Sequence, residues 1–181
     1  MLCMERTIPV SRFLKVALLW LACIAVRALP WRIPNVEPVM AAMLPVSAVS
    51  GVVLSAVFPA VAMVAFDVMG GAVGIWTPVT ALSYAAIGLL ASRLFAGKTI
   101  RPLSAGFFAL YSTLLYDAVT AALGPLAFGQ GWIETYVGQV PFTINHVLGN
   151  IVLCALFSPL LQRWLVSSAD VSPVRRKMRR V

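Results

Sequence analysis

Long apolar runs recur along the whole chain, and Pro, Gly and short polar stretches separate them. The hydrocarbon core of a membrane is about 30 Å thick, so a helix needs roughly 20 mostly apolar residues to cross it. We therefore predict an all-α, polytopic membrane protein, a bundle of about six transmembrane helices in a single transmembrane domain over residues 1–181. The predicted spans cover residues 13–29, 36–50, 52–69, 79–95, 103–123 and 142–166.

Helix-breaking residues mark the ends of several spans. Gly51 predicts a tight turn between spans two and three, and the glycines within residues 70–74 predict a loop. Thr77 followed by Pro78 is a favourable helix start, because the hydroxyl can cap the first turn and proline suits the first helical position. Residues 126–141 predict a longer connection before span six.

The composition agrees with a membrane protein. Of the 181 residues, 61% are hydrophobic and only 11% are charged, whereas soluble domains are about half apolar and a quarter charged. Six spans use most of the chain, so we expect no separate soluble domain. Pro45 and Pro59 lie inside spans two and three, which leaves two interpretations of those segments, as short continuous spans or as broken helices.

The positive charge is interpreted as a topology signal. The formal net charge is +8, but the cations lie at the ends of apolar runs, where they determine orientation. With the N-terminus inside, only Arg27 and Arg32 of the 14 Lys and Arg residues lie outside. We therefore predict an N-in/C-in, multi-pass protein of the prokaryotic plasma (inner) membrane. The basic tail, residues 167–181, is expected to lie against anionic lipid headgroups, and no binding of nucleic acid is expected.

Polar side chains gather in the predicted outer half of the bundle. The acidic residues mapped there are Glu37, Asp67, Asp117 and Glu134. A charge at the centre of a membrane helix costs about 2.5–3.5 kcal/mol on insertion scales, so such residues usually face a cavity. Thr113, Asp117 and Thr120 share one face of span five by their spacing, and Tyr116 lies beside that face. This stripe is either a ligand-facing surface or an interhelical hydrogen-bond cluster that holds the bundle together.

Span six carries a second polar cluster. Asn145 and His146 lie near its start, and Asn150 follows His146 at i+4, on the same helix face. Gly149 would let another element approach closely. We leave two interpretations of His146 open, as a ligand contact or as the partner of Asp117.

Aromatic side chains at the predicted outer ends complete the candidate site. Trp76 and Tyr84 belong to span four, and Trp132 precedes span six. The two tryptophans are either interfacial belt residues or, beside acidic groups, suited to a flat heteroaromatic or cationic ligand. We predict a pocket open to the outside, formed by the outer halves of spans four to six and their loops. Asn35 and Glu37 at the start of span two could add to it.

The sequence offers little for catalysis. Cys3, Cys23 and Cys154 have no metal-ligand spacing. The chain contains neither a Gly-x-Ser-x-Gly nucleophile motif nor a P-loop. We therefore expect no enzyme, metal or cofactor. An intramembrane enzyme that uses Asp117 and His146 is one alternative.

Four segments carry a resemblance to a known family, namely residues 34–38, 70–78, 84–90 and 142–150. Over about residues 33–166 the chain resembles the substrate-binding S component of an energy-coupling factor (ECF) transporter, an ABC importer. Such components are small six-helix binders of vitamins and micronutrients. The resemblance implies capture of a vitamin or related micronutrient from outside, a transmembrane coupling subunit and two cytosolic ATP-binding subunits as partners, and toppling of the S component during transport.

Docking on the coupling subunit uses small residues of the first helix in that family. The nearest stripe here is Ala17, Ala25 and Ala28, which Leu21 interrupts. It departs from the family's alanine pair spaced by four residues. The competing interpretation of the whole chain is a small membrane scaffold or assembly protein with no transported solute.

Overall fold

The computed structural model describes residues 10–31 and 36–166, and all the regular elements in those ranges are helices. The helices are α1 (Val10–Arg27), α2 (Val39–Ser50), α3 (Val52–Met69), α4 (Trp76–Phe95), α5 (Pro102–Ala121), α6 (Leu123–Phe128) and α7 (Trp132–Leu165). Four segments are long and apolar enough to cross a membrane: α3, α4, α5 continued by α6, and α7. The prediction of an all-α membrane bundle is confirmed.

Helix α2 occupies the centre of the bundle. It has 12 residues, which corresponds to about 18 Å and is too short for a 30 Å hydrocarbon core. Each residue from Val39 to Ala48 is buried, because α2 packs against α1, α3, α4 and α7. A helix that is apolar on all sides is typical of such a central position.

Cations and the end of α2 meet at one end of the bundle. The last carbonyls of a helix lack partners within the helix, and here the Ala48 carbonyl accepts a hydrogen bond from the Gly97 N–H (2.9 Å). The Val49 carbonyl accepts one from Arg12 Nη1 (3.1 Å), which also suits the negative end of the helix dipole. Lys15 Nζ donates to the Trp164 carbonyl (2.8 Å). The start of α1 and the end of α7 therefore lie together, while the N-in/C-in orientation stays a prediction.

Helices α3 and α4 form the most extensive helix pair in the described ranges. Gly51 turns the chain from α2 into α3 with a φ of +85°, a value that glycine adopts without steric cost. A Cβ atom on Gly88 of α4 would lie 1.9 Å from the carbonyl oxygen of Ser55 on α3. The two backbones can approach this closely only because residue 88 has no side chain.

The segment before predicted span six differs most from the expectation. Instead of a connection over residues 126–141, the short helix α6 is followed by α7, which begins at Trp132 and has 34 residues. Glu134 lies in the first turn of α7, where a carboxylate suits the positive end of the helix dipole. Pro141 lies inside the helix, which membrane helices tolerate when neighbouring groups satisfy the freed carbonyl.

Candidate functional site

A cleft of about 590 Å³ opens between the start of α4, the end of α5, the start of α6 and the first turns of α7. Its volume lies within the range of small-molecule sites. The residues that line it are Trp76, Thr80, Tyr116, Thr120, Ala121, Gly124, Gln130, Glu134, Thr135, Gly138, Gln139 and Phe142. The set combines three aromatic rings with hydroxyl, amide and carboxylate groups, so it can both stack against a ring and orient polar atoms.

The aromatic groups of the cleft are held by other rings. Trp76 stacks on Phe128 of α6, with 6.0 Å between the ring centroids and 25° between the planes. Tyr116 and Phe142 each contact the imidazole of His146 edge-on, at 5.5 Å between centroids. Edge-on and offset arrangements are the favoured ones for aromatic pairs, so these rings form preorganised walls.

The charge of the lining is negative. Glu134 is the one lining residue with a formal charge at neutral pH, and its side chain is exposed. Gln130, Thr135 and Gln139 add neutral donors and acceptors. A positive or neutral ligand suits such a surface, because no lining cation is available to pair with an anion.

A buried polar layer lies directly behind Tyr116 and Phe142, between α5 and α7. His146 Nδ1 and Asp117 Oδ1 are 2.8 Å apart, and both residues are at most 3% exposed. One turn further, Asn150 Nδ2 donates to Thr113 Oγ1 (2.9 Å). Thr113 and Asp117 are spaced i, i+4 on α5, as are His146 and Asn150 on α7, which aligns the two pairs.

Two oxygens of this layer lack a hydrogen-bond partner within the described ranges: Asp117 Oδ2 and Asn150 Oδ1. Buried polar atoms almost always have a partner, so each has capacity for a water molecule or a ligand. Asp117 also lines a second cavity of about 270 Å³ on the other side of the α5–α7 contact. Gln139 lines this cavity and the cleft alike.

The structure brings together part of the predicted substrate-binding set. Trp76 and Tyr116 line the cleft, and Thr113, Asp117, His146 and Asn150 form the layer behind it. Tyr84 is buried and contacts Tyr116 edge-on, with ring centroids 5.0 Å apart. His146 is the partner of Asp117 and supports two walls of the cleft, but it does not line the cleft, so its contact with a ligand stays a prediction.

Three predicted residues lie elsewhere. Asn145 is exposed and does not line the cleft. Asp67 Oδ2 accepts a hydrogen bond from the Thr77 hydroxyl (2.7 Å), which itself accepts one from the Gly74 N–H (3.2 Å). This arrangement ties the glycine loop to the start of α4, next to Trp76.

Glu37 is the third of these residues, and it pairs with Arg27. Glu37 Oε2 and Arg27 Nη1 are 2.6 Å apart, with both side chains largely buried. Arg27 also lies over the ring of Phe66, at 4.0 Å from its centroid. Asn35, Arg32 and the basic tail lie outside the described residues.

Several lining residues were missed because residues 126–141 were interpreted as a loop. Thr135, Gln139, Phe142 and His146 follow one another at spacings of 4, 3 and 4 along α7, so they share one helix face. This helical spacing could have indicated from the sequence that the segment is a helix with one face toward the site. Gly149 does allow a close approach, since a Cβ atom there would lie 2.8 Å from Val36 Cγ2.

The predicted docking stripe is only partly on α1. Ala17 is half-buried and Ala25 is exposed, whereas Ala28 follows the last residue of the helix. The buried face of α1 is instead formed by Val16, Leu19, Cys23 and Ile24. In the described ranges, no three His, Cys, Asp or Glu side chains are grouped so that they could hold a metal ion.

A comparison with families of known proteins places the chain in one of them. Residues 8–167 match the model of a family of unknown function, DUF6580. No curated protein and no solved structure matches the chain.

Proposed function

The chain belongs to the DUF6580 family of unknown function, and we propose that it is a membrane-embedded substrate-binding subunit of an ECF-type importer. In this proposal it captures a vitamin or related micronutrient from outside the cell. The observation that carries it is the cleft: aromatic walls and hydrogen-bonding groups in front of a buried Asp117–His146 pair.

The buried layer favours binding over a purely structural role. If the polar groups of α5 and α7 served only to hold the helices together, we would expect them to be satisfied by each other. Asp117 Oδ2 and Asn150 Oδ1 instead keep accepting capacity. A ligand in the cleft could donate a hydrogen bond to either oxygen, directly or through a bridging water. Binding of the ligand would then be coupled to the contact between α5 and α7.

The lining indicates the chemistry of the ligand. A flat heterocycle would stack on Trp76 or Tyr116. A positive charge on that ligand would be attracted by Glu134 and by the faces of the rings. We therefore propose a neutral or cationic heteroaromatic compound. Since the sequence has no P-loop, the energy for import would come from two ATP-binding subunits through a transmembrane coupling subunit.

The first test is whether the purified protein retains or binds a small molecule. We expect mass spectrometry of denatured protein to identify a heteroaromatic compound, and we expect one member of a vitamin panel to stabilise the protein against heat. Ligand at 100 times its Kd stabilises a folded state by about 2.7 kcal/mol. If no compound is retained and no member of the panel raises the Tm, the proposal fails. That result would favour the alternative, a small membrane scaffold protein with no transported solute.

Two tryptophans at the same end of the bundle provide a matched pair of variants. Trp76 lines the cleft and is 42% exposed, whereas Trp132 is 52% exposed and stacks on Tyr136 without lining the cleft. A stacking contact contributes about 0.5–1.5 kcal/mol beyond the buried area, so we expect Trp76→Ala to weaken binding about tenfold or more. Trp132→Ala should bind as wild type. Equal affinities in the two variants would place the ligand elsewhere.

The proposal also requires the cleft to open outward. We expect a membrane-impermeant thiol reagent applied to intact cells to label Gln130→Cys, in a background without native cysteines, and not Lys98→Cys at the opposite end. The reverse pattern would contradict capture from outside.

A further inference from the structure

A groove runs between α1 and α7, with α2 as its floor. We refer to it as the α1–α7 groove. Its volume is about 480 Å³. The residues that line it are Leu19, Ala22, Cys23, Val26, Val36, Pro38, Ala41, Ala42, Leu153, Phe157 and Leu161. None of them carries a charge or an amide, so the groove offers no partner to a polar ligand.

The small residues of α2 create this groove. Ala41 and Ala42 leave space where larger side chains would fill the gap between α1 and α7. Void space beside apolar side chains forfeits dispersion contacts. In a bilayer, an apolar chain that enters the groove restores those contacts without burying any polar group.

The dimensions of the groove suit a lipid chain. The lining residues extend from Leu19 to Val26 on α1 and from Leu153 to Leu161 on α7. At 1.5 Å per helical residue these stretches are about 10 and 12 Å long. One leaflet of a 30 Å hydrocarbon core is about 15 Å thick, so the groove can hold most of the length of one acyl chain.

A cation lies next to one end of the groove. Lys15 is four residues before Leu19 and shares its helix face, and Trp164 is three residues after Leu161. Lys15 Nζ donates to the Trp164 carbonyl (2.8 Å) and lies 5.6 Å from the centroid of the Trp164 ring. An ammonium group has three donors, and the described hydrogen bonds use one of them. A phosphate oxygen can therefore still bind to Lys15.

We propose that the α1–α7 groove binds one acyl chain of an anionic phospholipid whose phosphate contacts Lys15. The apolar lining selects an alkyl chain, and the cation at the end of the groove selects a negative headgroup. Trp and Lys together are typical of the level at which headgroups lie. This site shares no lining residue with the cleft, so it stands independently of the proposed function.

Native mass spectrometry tests the site with two lipids that differ only in the headgroup. The detergent-solubilised chain is mixed with phosphatidylglycerol or with phosphatidylcholine of the same acyl chains. We expect wild type to retain one phosphatidylglycerol molecule at several times the occupancy of phosphatidylcholine. Equal retention of the two lipids by wild type would overturn the assignment to an anionic headgroup.

Two matched pairs of variants separate the two parts of the site. Ala22→Phe fills the groove from the exposed side of α1, while Ala25→Phe adds the same ring to α1 outside the groove. We expect the first to lose both lipids and the second to retain them as wild type does. Lys15→Gln should reduce phosphatidylglycerol retention to the level of phosphatidylcholine, whereas Lys98→Gln should leave it unchanged.

Other outcomes would overturn the lipid assignment. Ala22→Phe with wild-type lipid retention would show that the lipid binds elsewhere. A dimer of wild type that Ala22→Phe dissociates would assign the groove to a second copy of the chain. The Tm of each variant identifies a folding defect, and Lys15→Gln tests the headgroup contact even if Ala22→Phe does not fold.

Discussion

The close contact between α3 and α4 makes the stability of the protein sensitive to substitution of Gly88. A Cβ atom at residue 88 would lie 1.9 Å from the Ser55 carbonyl oxygen and 2.8 Å from its carbonyl carbon. Ordinary contacts of a Cβ atom begin at 3.4 Å. The neighbouring atoms belong to a backbone that α3 fixes in place, so Gly88→Ala must push α3 and α4 apart by about 1.5 Å, the difference between 3.4 and 1.9 Å.

Two opposing effects set the size of the loss. Replacing a helical glycine by alanine stabilises a helix by roughly 0.5–1 kcal/mol. Overpacking, including the backbone shifts that it forces, costs typically about 1–3 kcal/mol. The clash lies in the most extensive helix pair of the described ranges, so we take the upper end of the overpacking cost. Less the gain in helix propensity, the net destabilisation is about 2 kcal/mol. For a chain of this size, that lowers the Tm by roughly 4–8 °C.

Thermal unfolding in detergent measures this effect, and α5 supplies the control. A Cβ atom on Gly106 would lie 3.8 Å from Ile151 Cγ2, an ordinary contact. We expect Gly106→Ala to unfold at the wild-type temperature or slightly above it, because only the gain in helix propensity remains. A Gly88→Ala variant with the Tm of Gly106→Ala would refute the close packing of α3 against α4.

Two further predictions concern the buried polar pairs Asp117–His146 and Glu37–Arg27. Asp117→Asn, His146→Gln and the double variant form a double-mutant cycle. We expect a coupling energy between about 0.6 and 1.7 kcal/mol, the average and the maximum for interhelical polar contacts in membranes. Additive losses in the free energy of unfolding would mean that the pair is not formed. Glu37→Gln should destabilise by about 1–3 kcal/mol, below the 3–5 kcal/mol for breaking a fully buried pair, because Arg27 keeps its contact with Phe66. The matched variant Glu134→Gln, at an exposed carboxylate, should lose only the weak interaction with the helix dipole. A loss equal to that of Glu37→Gln would contradict this reasoning.

The helices could be predicted from the sequence because the hydropathy and the length of a segment determine whether it can cross the membrane. Apolar runs and glycine turns place α3 and α4 within a few residues of their predicted ranges. The start of α7 could not be placed, because Pro141 is a loop signal in water but lies inside α7, as a membrane helix tolerates. That single difference removed Thr135 and Gln139 from the predicted site.

The layer behind the cleft was partly predictable. The i, i+4 spacing of Thr113 with Asp117, and of His146 with Asn150, identified both contributing faces. Spacing cannot specify which faces of different helices meet, so the choice between ligand and partner for His146 needed the structure. Glu37 illustrates the limit, because its partner Arg27 precedes it by only ten residues yet approaches it through packing of α1 on the bundle.

The burial of α2 also has a consequence for how the protein is made. A 12-residue segment is too short to partition into the bilayer as an independent span, although Gly51 joins it directly to the apolar α3. We expect α2 to enter the membrane as one arm of a hairpin with α3 and to reach its final depth only when α4 and α7 close around it. Biogenesis of this protein would then depend on late assembly, and truncation before α7 should leave α2 exposed to proteolysis.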